Sequence, residues 1–200
     1  MATKKTSGLD RRKIVAALLA DRGDALVVTG LGSPTYDAYA AGDHDLNFYL
    51  WGAMGGAAMA GLGLALAQPK RRVLVITGDG EMLMGIGSLA TIACEAPKNL
   101  VIAVINNGHY GETGMQRAHT ARGVDLVGIA KAAGFKSAVT VDSMAGLQRW
   151  LPECHGKAGP VFADIHVSAD PAPMRLPLRD GTAIKHRFRT ALLGMDAQNN

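Results

Sequence analysis

The stretch Val73-Leu74-Val75-Ile76-Thr77-Gly78-Asp79-Gly80 decides the fold, because it places a glycine–aspartate–glycine turn directly after a buried strand. A second apolar run, residues 100–105, ends in Asn106-Asn107. A hard cation that bridges a diphosphate prefers oxygen ligands, which a carboxylate, a side-chain amide and a backbone carbonyl can supply. Glycines beside the aspartate let backbone N–H groups approach phosphate oxygens without a Cβ in the way. A glycine–aspartate–glycine turn alone is more often a plain turn between a strand and a helix, but its combination with the Asn-Asn pair predicts a site for a metal ion and a diphosphate.

Apolar strands alternate with helical patterns on both sides of these motifs. The predicted strands are residues 25–29, 73–77, 100–105, 137–141 and 161–167. The predicted helices are residues 11–19, 53–68, 87–95, 125–133 and 143–154. This order predicts an α/β fold, a doubly wound parallel sheet with helices on both faces. Ligands on such sheets bind at the carboxyl ends of the strands, where Asp79 and Asn107 fall.

Length and composition predict one main domain, residues 1–170, with a basic extension over residues 171–200. The chain has 200 residues, of which 48% are hydrophobic and 19% charged, typical of an ordinary soluble domain. In the extension, a proline-rich connector precedes a short predicted helix at residues 183–193, which either covers a partner or a site or is a solvated tail. The first ten residues are polar, and we expect them to be disordered.

Charge, cysteine content and hydropathy exclude several classes of protein. A net charge of +4 with few aromatic residues argues against nucleic-acid binding. The longest apolar stretch, residues 53–67, contains four glycines and is shorter than the roughly 20 residues of a membrane span. Cys94 and Cys154 form no metal-binding motif, and no secretory signal precedes the domain. We therefore expect a cytoplasmic protein without membrane or nucleic-acid partners.

The GDG turn and the Asn-Asn pair together resemble the signature of thiamine diphosphate-dependent enzymes. The resemblance implies that Mg²⁺ is held by the side chains of Asp79 and Asn107 and by the carbonyl of His109. It also implies thiamine diphosphate as the cofactor. The residues implied in cofactor binding are Gly52, Ala53, Met54, Gly78, Asp79, Gly80, Glu81, Asn107, His109 and Tyr110.

Three of these residues have more specific implied roles. In the segment Trp51-Gly52-Ala53-Met54-Gly55, the Gly52 carbonyl accepts a hydrogen bond from the pyrimidine amine, and the Met54 N–H donates to the ring. The apolar Met54 side chain is the wedge that bends the cofactor. A glycine-rich helix start packed in the core is the alternative interpretation. For the Glu81 carboxylate, capping of the next helix is the favoured prediction.

A polar, glycine-rich loop, residues 108–114, follows the asparagines, placed to close over a substrate. The candidates for proton transfer or for binding the substrate head group are His109, Glu112, Gln116, His119 and Thr120. Imidazole titrates near neutral pH, and a buried glutamate does so when its pKa is raised. Ordering of the loop itself is the structural alternative for each of them.

The run from residue 47 to residue 114 resembles the beta subunit of sulfopyruvate decarboxylase and the matching half of phosphonopyruvate decarboxylase. The residues that carry the resemblance are Gly52-Ala53-Met54-Gly55, Gly61-Leu62-Gly63-Leu64-Ala65-Leu66, Gly78-Asp79-Gly80, Leu89-Ala90-Thr91-Ile92, Pro97-Lys98-Asn99-Leu100, Tyr110-Gly111, Thr113-Gly114 and Gln116. The resemblance implies decarboxylation of a small anionic 2-oxo acid, sulfopyruvate or phosphonopyruvate, to an aldehyde and CO2. It also implies a partner alpha subunit that supplies the pyrimidine-binding domain and the activating glutamate, in an assembly with at least two copies of each chain.

Other functions remain open from the sequence. Half of a carboligase related to acetolactate synthase would use the same cofactor. Split transketolase-like halves and beta chains of oxoacid-ferredoxin oxidoreductases are further alternatives. From a different class, a non-catalytic nucleotide-binding module would use a similar fold. A dinucleotide site is weakly supported, since Gly30-Leu31-Gly32 is followed by Thr35 where a third glycine would stand.

Overall fold

The structure, a computed structural model, describes residues 8–156 and 159–198. The strands are β1 (Leu26–Thr29), β2 (Asn47–Tyr49), β3 (Val73–Gly78), β4 (Leu100–Asn106), β5 (His109–Tyr110), β6 (Gln116–Arg117), β7 (Ser137–Val141) and β8 (Val161–His166). Six of them form a parallel sheet in the order β2-β1-β3-β4-β8-β7, and β5 pairs antiparallel with β6. The predicted parallel α/β sheet is confirmed.

Eight α-helices accompany these strands in the described part of the chain. They are α1 (Arg11–Ala20), α2 (Ser33–Ala40), α3 (Ala57–Ala67), α4 (Asp79–Met84), α5 (Ser88–Glu95), α6 (Leu126–Ala133), α7 (Met144–His155) and α8 (Gly181–Leu193). Side-chain oxygens of Asp10, Asp125, Ser143 and Asp180 cap α1, α6, α7 and α8. These residues precede apolar helical patterns, which is why most helix positions are readable from the sequence.

The sheet separates two hydrophobic cores. On β3, Val73 and Val75 belong to the core under α3, α5 and α6, whereas Leu74 and Ile76 belong to the core under α1 and α7. Each fully buried side chain of this size contributes about 1.5–3 kcal/mol. Burial on both faces explains why the central strands are continuous apolar runs.

The strand order reverses at β1. The chain passes from β1 to β2 on one side, then returns to β3 on the other side of β1. A crevice therefore opens outside the carboxyl ends of β1 and β3, which is the usual ligand position in an open α/β sheet. The GDG turn follows β3 directly, so the fold brings it to this crevice.

The prediction of a helix from residue 53 is wrong at its start, because α3 begins at Ala57. Gly52 and Gly55 have φ angles of +72° and +90°, which a helix does not allow. Residues 51–56 instead form turns that precede the helix. Further along α3, a Cβ at Gly61 would lie 2.2 Å from Val75 Cγ2, so that glycine permits close packing on β3.

The elements that were not predicted include α2 and β2. The strand β2 has three residues and pairs with β1 alone at the edge of the sheet. The helix α2 starts with Pro34 in its first turn and is short and only weakly amphipathic. Neither element produces the long periodic pattern from which helices and strands are predicted.

Both ends of the described chain are attached to the domain. Leu9 pairs with Val167, so the prediction of disorder is wrong for residues 8–10, and residues 1–7 lie outside the described residues. At the other end, Phe188 of α8 packs edge-on against Phe48 of β2, with ring centroids 5.5 Å apart. Within residues 8–156 and 159–198, no helix has the length and hydropathy needed to traverse a bilayer.

Candidate cofactor site

A cavity of about 380 Å³ lies at the carboxyl ends of β1, β3 and β4. Its wall combines the loop after β1, the GDG turn and the loop after β4. The lining residues are Leu31, Gly32, Ser33, Pro34, Met54, Gly78, Asp79, Gly80, Glu81, Met84, Ile105, Asn107, His109, Tyr110, Gly111, Glu112 and Thr113. Most of the residues implied in cofactor binding thus meet in one cavity.

Asp79 is the first residue of α4, with its side chain in the wall of the cavity. Only 2% of the residue is exposed, and one carboxylate oxygen accepts a hydrogen bond from the Thr120 hydroxyl at 2.5 Å. Burial raises the pKa of Asp79, against the opposing effect of the Thr120 hydroxyl, and nearby Asp164 raises it further. A cation at this carboxylate would offset the cost of a buried negative charge.

The Asn-Asn pair forms two successive side-chain turns. Asn106 Oδ1 accepts the Gly108 N–H at 3.0 Å, and Asn107 Oδ1 accepts the His109 N–H at 2.9 Å. The His109 ring donates from Nδ1 to the Asn107 carbonyl at 2.8 Å, which leaves Nε2 as the ring atom able to accept a proton. These bonds hold Asn107 and His109 at the cavity wall.

Tyr110 packs directly on the GDG turn. A Cβ at Gly80 would lie 2.3 Å from Tyr110 Cε1, so the ring occupies the space that only glycine leaves. The Tyr110 hydroxyl lies 3.4 Å from His119 Nδ1. This contact connects the loop after β4 to the segment that carries Thr120.

Glu81 is buried behind the GDG turn, and the prediction that its carboxylate caps the following helix is wrong. The carboxylate instead accepts the Leu31 N–H at 3.0 Å, and α4 has no side-chain cap. A Cβ at Gly30 would lie 1.6 Å from Glu81 Oε2, so any larger residue there would displace the carboxylate. Burial raises the pKa of Glu81, against the opposing effect of the Leu31 N–H. Glu81 therefore ties the loop after β1 to the GDG turn.

The donors at the cavity fit a magnesium diphosphate. Asp79 offers a carboxylate, Asn107 an amide and His109 a carbonyl, which are oxygen ligands of the kind Mg²⁺ binds together with phosphate and water. Within the described ranges, no cluster of three His, Cys, Asp or Glu side chains could hold a metal ion. The proposed metal ligands differ from such a cluster, because they include only one carboxylate.

The segment implied in pyrimidine binding lies at the open side of the cavity. Met54 and Met84 both line the cavity, and Met84 is 63% exposed. Gly52 and Ala53 are exposed and lie outside the lining. A Cβ at Gly55 would lie 3.2 Å from Met84 Cβ, so this segment packs against the end of α4.

The candidates for catalysis occupy two different positions. His109 and Glu112 line the cavity, and Glu112 accepts a hydrogen bond from the Tyr36 hydroxyl at 3.1 Å. Gln116 is exposed and bonds to Thr113 through both ends of its amide. His119 is also exposed, and neither Gln116 nor His119 lines the cavity. Their roles stay predictions.

Sequence reasoning missed the loop after β1 and two residues on neighbouring elements. Ser33 lines the cavity and Tyr36 supports Glu112, while Asp164 of β8 bonds to Asn106. The rule that ligands bind at strand ends points to residues 31–34, since β1 was predicted. Asp164 gave no such signal, because it lies inside an apolar strand.

Sequence relatives of this chain carry decarboxylase names. Sulfopyruvate decarboxylase of Methanosarcina acetivorans is 42% identical over 84% of this chain, which spans 42% of that protein. The sulfopyruvate decarboxylase subunit beta of Methanothermobacter thermautotrophicus is 37% identical over 90% of this chain and 94% of that subunit. Phosphonopyruvate decarboxylase of Streptomyces viridochromogenes is 40% identical over 76% of this chain and 37% of that protein. The chain thus spans less than half of two relatives and nearly all of the third.

A solved structure shares the fold. An X-ray structure from Mycobacterium smegmatis, described as a thiamin diphosphate-dependent enzyme, matches 83% of this chain and 33% of that one, with a TM-score of 0.71 and 23% identity. The family described as thiamine pyrophosphate enzyme, C-terminal TPP binding domain, matches residues 31–165, which contain both motifs and the whole cavity wall. The chain therefore belongs to the thiamine pyrophosphate enzymes and contains their C-terminal cofactor-binding domain.

Proposed function

We propose that the chain is the beta subunit of a thiamine diphosphate-dependent decarboxylase that converts sulfopyruvate or phosphonopyruvate to the corresponding aldehyde and CO2. The observation that carries the proposal is the meeting of Asp79, Asn107 and His109 at one cavity, between the carboxyl ends of β3 and β4. The decarboxylase names of the relatives support this activity over carboligation and over a nucleotide-binding module.

In this proposal, the cavity wall holds the magnesium diphosphate. Asp79 and Asn107 bind Mg²⁺ through their side chains, and His109 binds it through its carbonyl. The N–H groups of the GDG turn and of Glu81 face the diphosphate, since the start of a helix favours an anion. The Gly52 carbonyl and the Met54 side chain position the pyrimidine ring.

The chain's own residues then handle substrate and protons. Thiamine diphosphate supplies stabilisation of the electron pair that remains when a 2-oxo acid loses CO2. His109 accepts or releases a proton at Nε2, because its Nδ1–H is engaged by the Asn107 carbonyl. Glu112, held by the Tyr36 hydroxyl, is the second group proposed for proton transfer, at the mouth of the cavity. Gln116 and His119 receive the anionic end of the substrate.

A partner alpha subunit completes the active site in this proposal. It supplies the pyrimidine-binding domain and the activating glutamate, in a hetero-oligomer with at least two copies of each chain. The beta-subunit relative of nearly equal length and the relatives of about twice the length support this division. A cytoplasmic location is part of the same proposal.

The test is co-purification with the chain encoded beside it, followed by an assay for CO2 and aldehyde. Sulfopyruvate, phosphonopyruvate and pyruvate are compared as substrates, with and without Mg²⁺ and thiamine diphosphate. We expect turnover of a substrate with a sulfonate or phosphonate group, dependent on both additions, and little turnover of pyruvate.

Three outcomes would contradict parts of the proposal. A hydroxyketone longer than the substrate would indicate carboligation. Activity of this chain alone would show that no partner glutamate is needed. Absence of thiamine diphosphate binding by calorimetry, with and without the partner, would favour a non-catalytic module.

A further inference from the structure

Asp164 lies on β8, beside the strand that leads into the Asn-Asn pair. It is 4% exposed, and its Oδ2 lies 3.2 Å from both Asn106 Nδ2 and His166 Nε2. Its Oδ1 has no hydrogen-bond partner among the described residues. A buried carboxylate costs free energy unless its interactions compensate. The position of this costly group against the first asparagine of the pair therefore calls for a functional explanation.

The side chain of Asn106 is held at both ends. Its Nδ2 donates to Asp164 at 3.2 Å, and its Oδ1 accepts the Gly108 N–H at 3.0 Å. An amide rotated by half a turn would place its NH2 group against the Gly108 N–H and its oxygen against the carboxylate, losing both bonds. The ionised carboxylate of Asp164 can accept hydrogen bonds but cannot donate them. It thus selects the orientation in which the Asn106 amide presents its NH2 group.

That orientation fixes the turn that carries the proposed metal ligands. Gly108 has a φ of +68°, and its carbonyl accepts the Ala118 N–H at 2.8 Å. The Asn106 bond to the Gly108 N–H closes the same turn from the other side. Asn107 and His109 flank Gly108, so a rotation at Gly108 would displace the Asn107 side chain and the His109 carbonyl together.

We propose that Asp164 is a positioning residue for the metal site: it orients the Asn106 amide and thereby holds the turn that presents Asn107 and the His109 carbonyl to Mg²⁺. This inference rests on the proposed function. It gives the two asparagines different roles, with Asn106 building the turn and Asn107 contacting the metal. Outer partners of metal ligands typically change metal affinity by about 10–100-fold.

The test measures the apparent Kd for Mg²⁺ of the complex with its partner chain, at saturating thiamine diphosphate. Tryptophan fluorescence is a suitable signal, because Trp51 begins the segment of residues 51–55 at the open side of the cavity. The other tryptophan, Trp150, is buried in a core. We expect Asp164→Leu to raise this Kd by about 10–100-fold. At saturating Mg²⁺, its KM for the substrate should match that of the wild type. Asp164→Asn keeps an acceptor for Asn106 and should recover the Kd to within about threefold.

A matched control and a double variant separate positioning from general damage. His166→Ala removes the other partner of the same Asp164 oxygen and should leave the Mg²⁺ Kd unchanged. Asp164→Leu combined with Asn106→Ala should bind Mg²⁺ no more weakly than Asn106→Ala alone, because both changes break one link. Should Asp164→Leu fail to fold, Asn106→Ala tests the link from its other end and must raise the Kd by a similar factor.

Two results would overturn the inference. One is a folded Asp164→Leu variant, or Asn106→Ala, with a Mg²⁺ Kd within about twofold of the wild type. The other is full additivity in the double variant. Both leave the proposed function standing, provided that the wild-type complex binds Mg²⁺ and thiamine diphosphate. A wild-type complex that binds neither would refute the proposed function, and the role of Asp164 with it.

Discussion

Two regions of the cofactor cavity differ in how completely this chain builds them. The floor, residues 78–81 with residues 106–109, is held by hydrogen bonds from neighbouring elements, and Asp79 and Asn106 are 2% and 8% exposed. The mouth loop, residues 110–117, is mostly exposed and contains Met115 at a φ of +61°. A floor fixed by hydrogen bonds within the chain suits an invariant group such as a diphosphate. The mouth loop has few contacts with the rest of the chain, which suits a surface that is completed by a substrate and by a second chain.

The strongest test of this contrast is Asp79→Asn at the floor. Asparagine keeps the size and the contact with Thr120 but removes the charge that a cation needs, so we expect the Mg²⁺ affinity to fall by about 100-fold or more. Calorimetry with Mg²⁺ and thiamine diphosphate measures the loss. Asp125→Asn is the matched control, because asparagine also caps helices well and α6 should keep its stability. Unchanged affinity in Asp79→Asn would refute the metal-ligand assignment.

The second test adds volume to the floor. Gly80→Ala places a Cβ 2.3 Å from Tyr110 Cε1, so the ring must move. Because Tyr110 adjoins the proposed carbonyl ligand His109, we expect thiamine diphosphate affinity to fall by about tenfold. At Gly87, a Cβ would meet nothing within 4 Å, so Gly87→Ala is the control. Equal affinities of the two alanine variants would show that the Tyr110 ring does not shape the site.

The difference between the regions also explains what the sequence predicted. Asp79, Asn107 and His109 were predicted because a short motif after an apolar strand fixes them locally. Glu81 was placed wrongly, since its partner, the Leu31 N–H, lies fifty residues away and is visible only in the fold. Asp164 was missed for the same reason, because parallel pairing of β4 and β8 brings it to Asn106. The positions of residues in a local motif were thus readable, whereas contacts across the sheet were not.

A third test uses pH, since burial raises the pKa values of Asp79, Glu81 and Asp164 at or beside the floor. These carboxyl groups therefore bind protons more tightly in the folded chain than in the unfolded chain. Their full contribution to the free energy of unfolding is present at pH values below the unfolded pKa values. That stability is lost as the pH rises from about 4 through the raised pKa values. Urea midpoints against pH measure the loss. Mg²⁺ with thiamine diphosphate should reduce it, and Asp79→Asn should abolish this ligand effect. A ligand effect that persists in Asp79→Asn would place the cation elsewhere.

The smallest expected effect lies at the mouth. Tyr36→Phe removes the hydroxyl that donates to Glu112 at 3.1 Å but keeps the ring that packs 6.2 Å from the Trp51 ring. A hydrogen bond to a carboxylate contributes about 1.5–3 kcal/mol, but this one joins two residues of the mouth and touches none of the floor residues proposed to bind the diphosphate, so cofactor affinity should change by less than about threefold. The catalytic rate should fall further than the affinity does, because Glu112 loses the group that orients it. Tyr39→Phe, on the same helix but outside the cavity wall, is the control for loss of a tyrosine hydroxyl. A large drop in cofactor affinity in Tyr36→Phe alone would show that the mouth loop holds the diphosphate too, and would remove the contrast between the two regions.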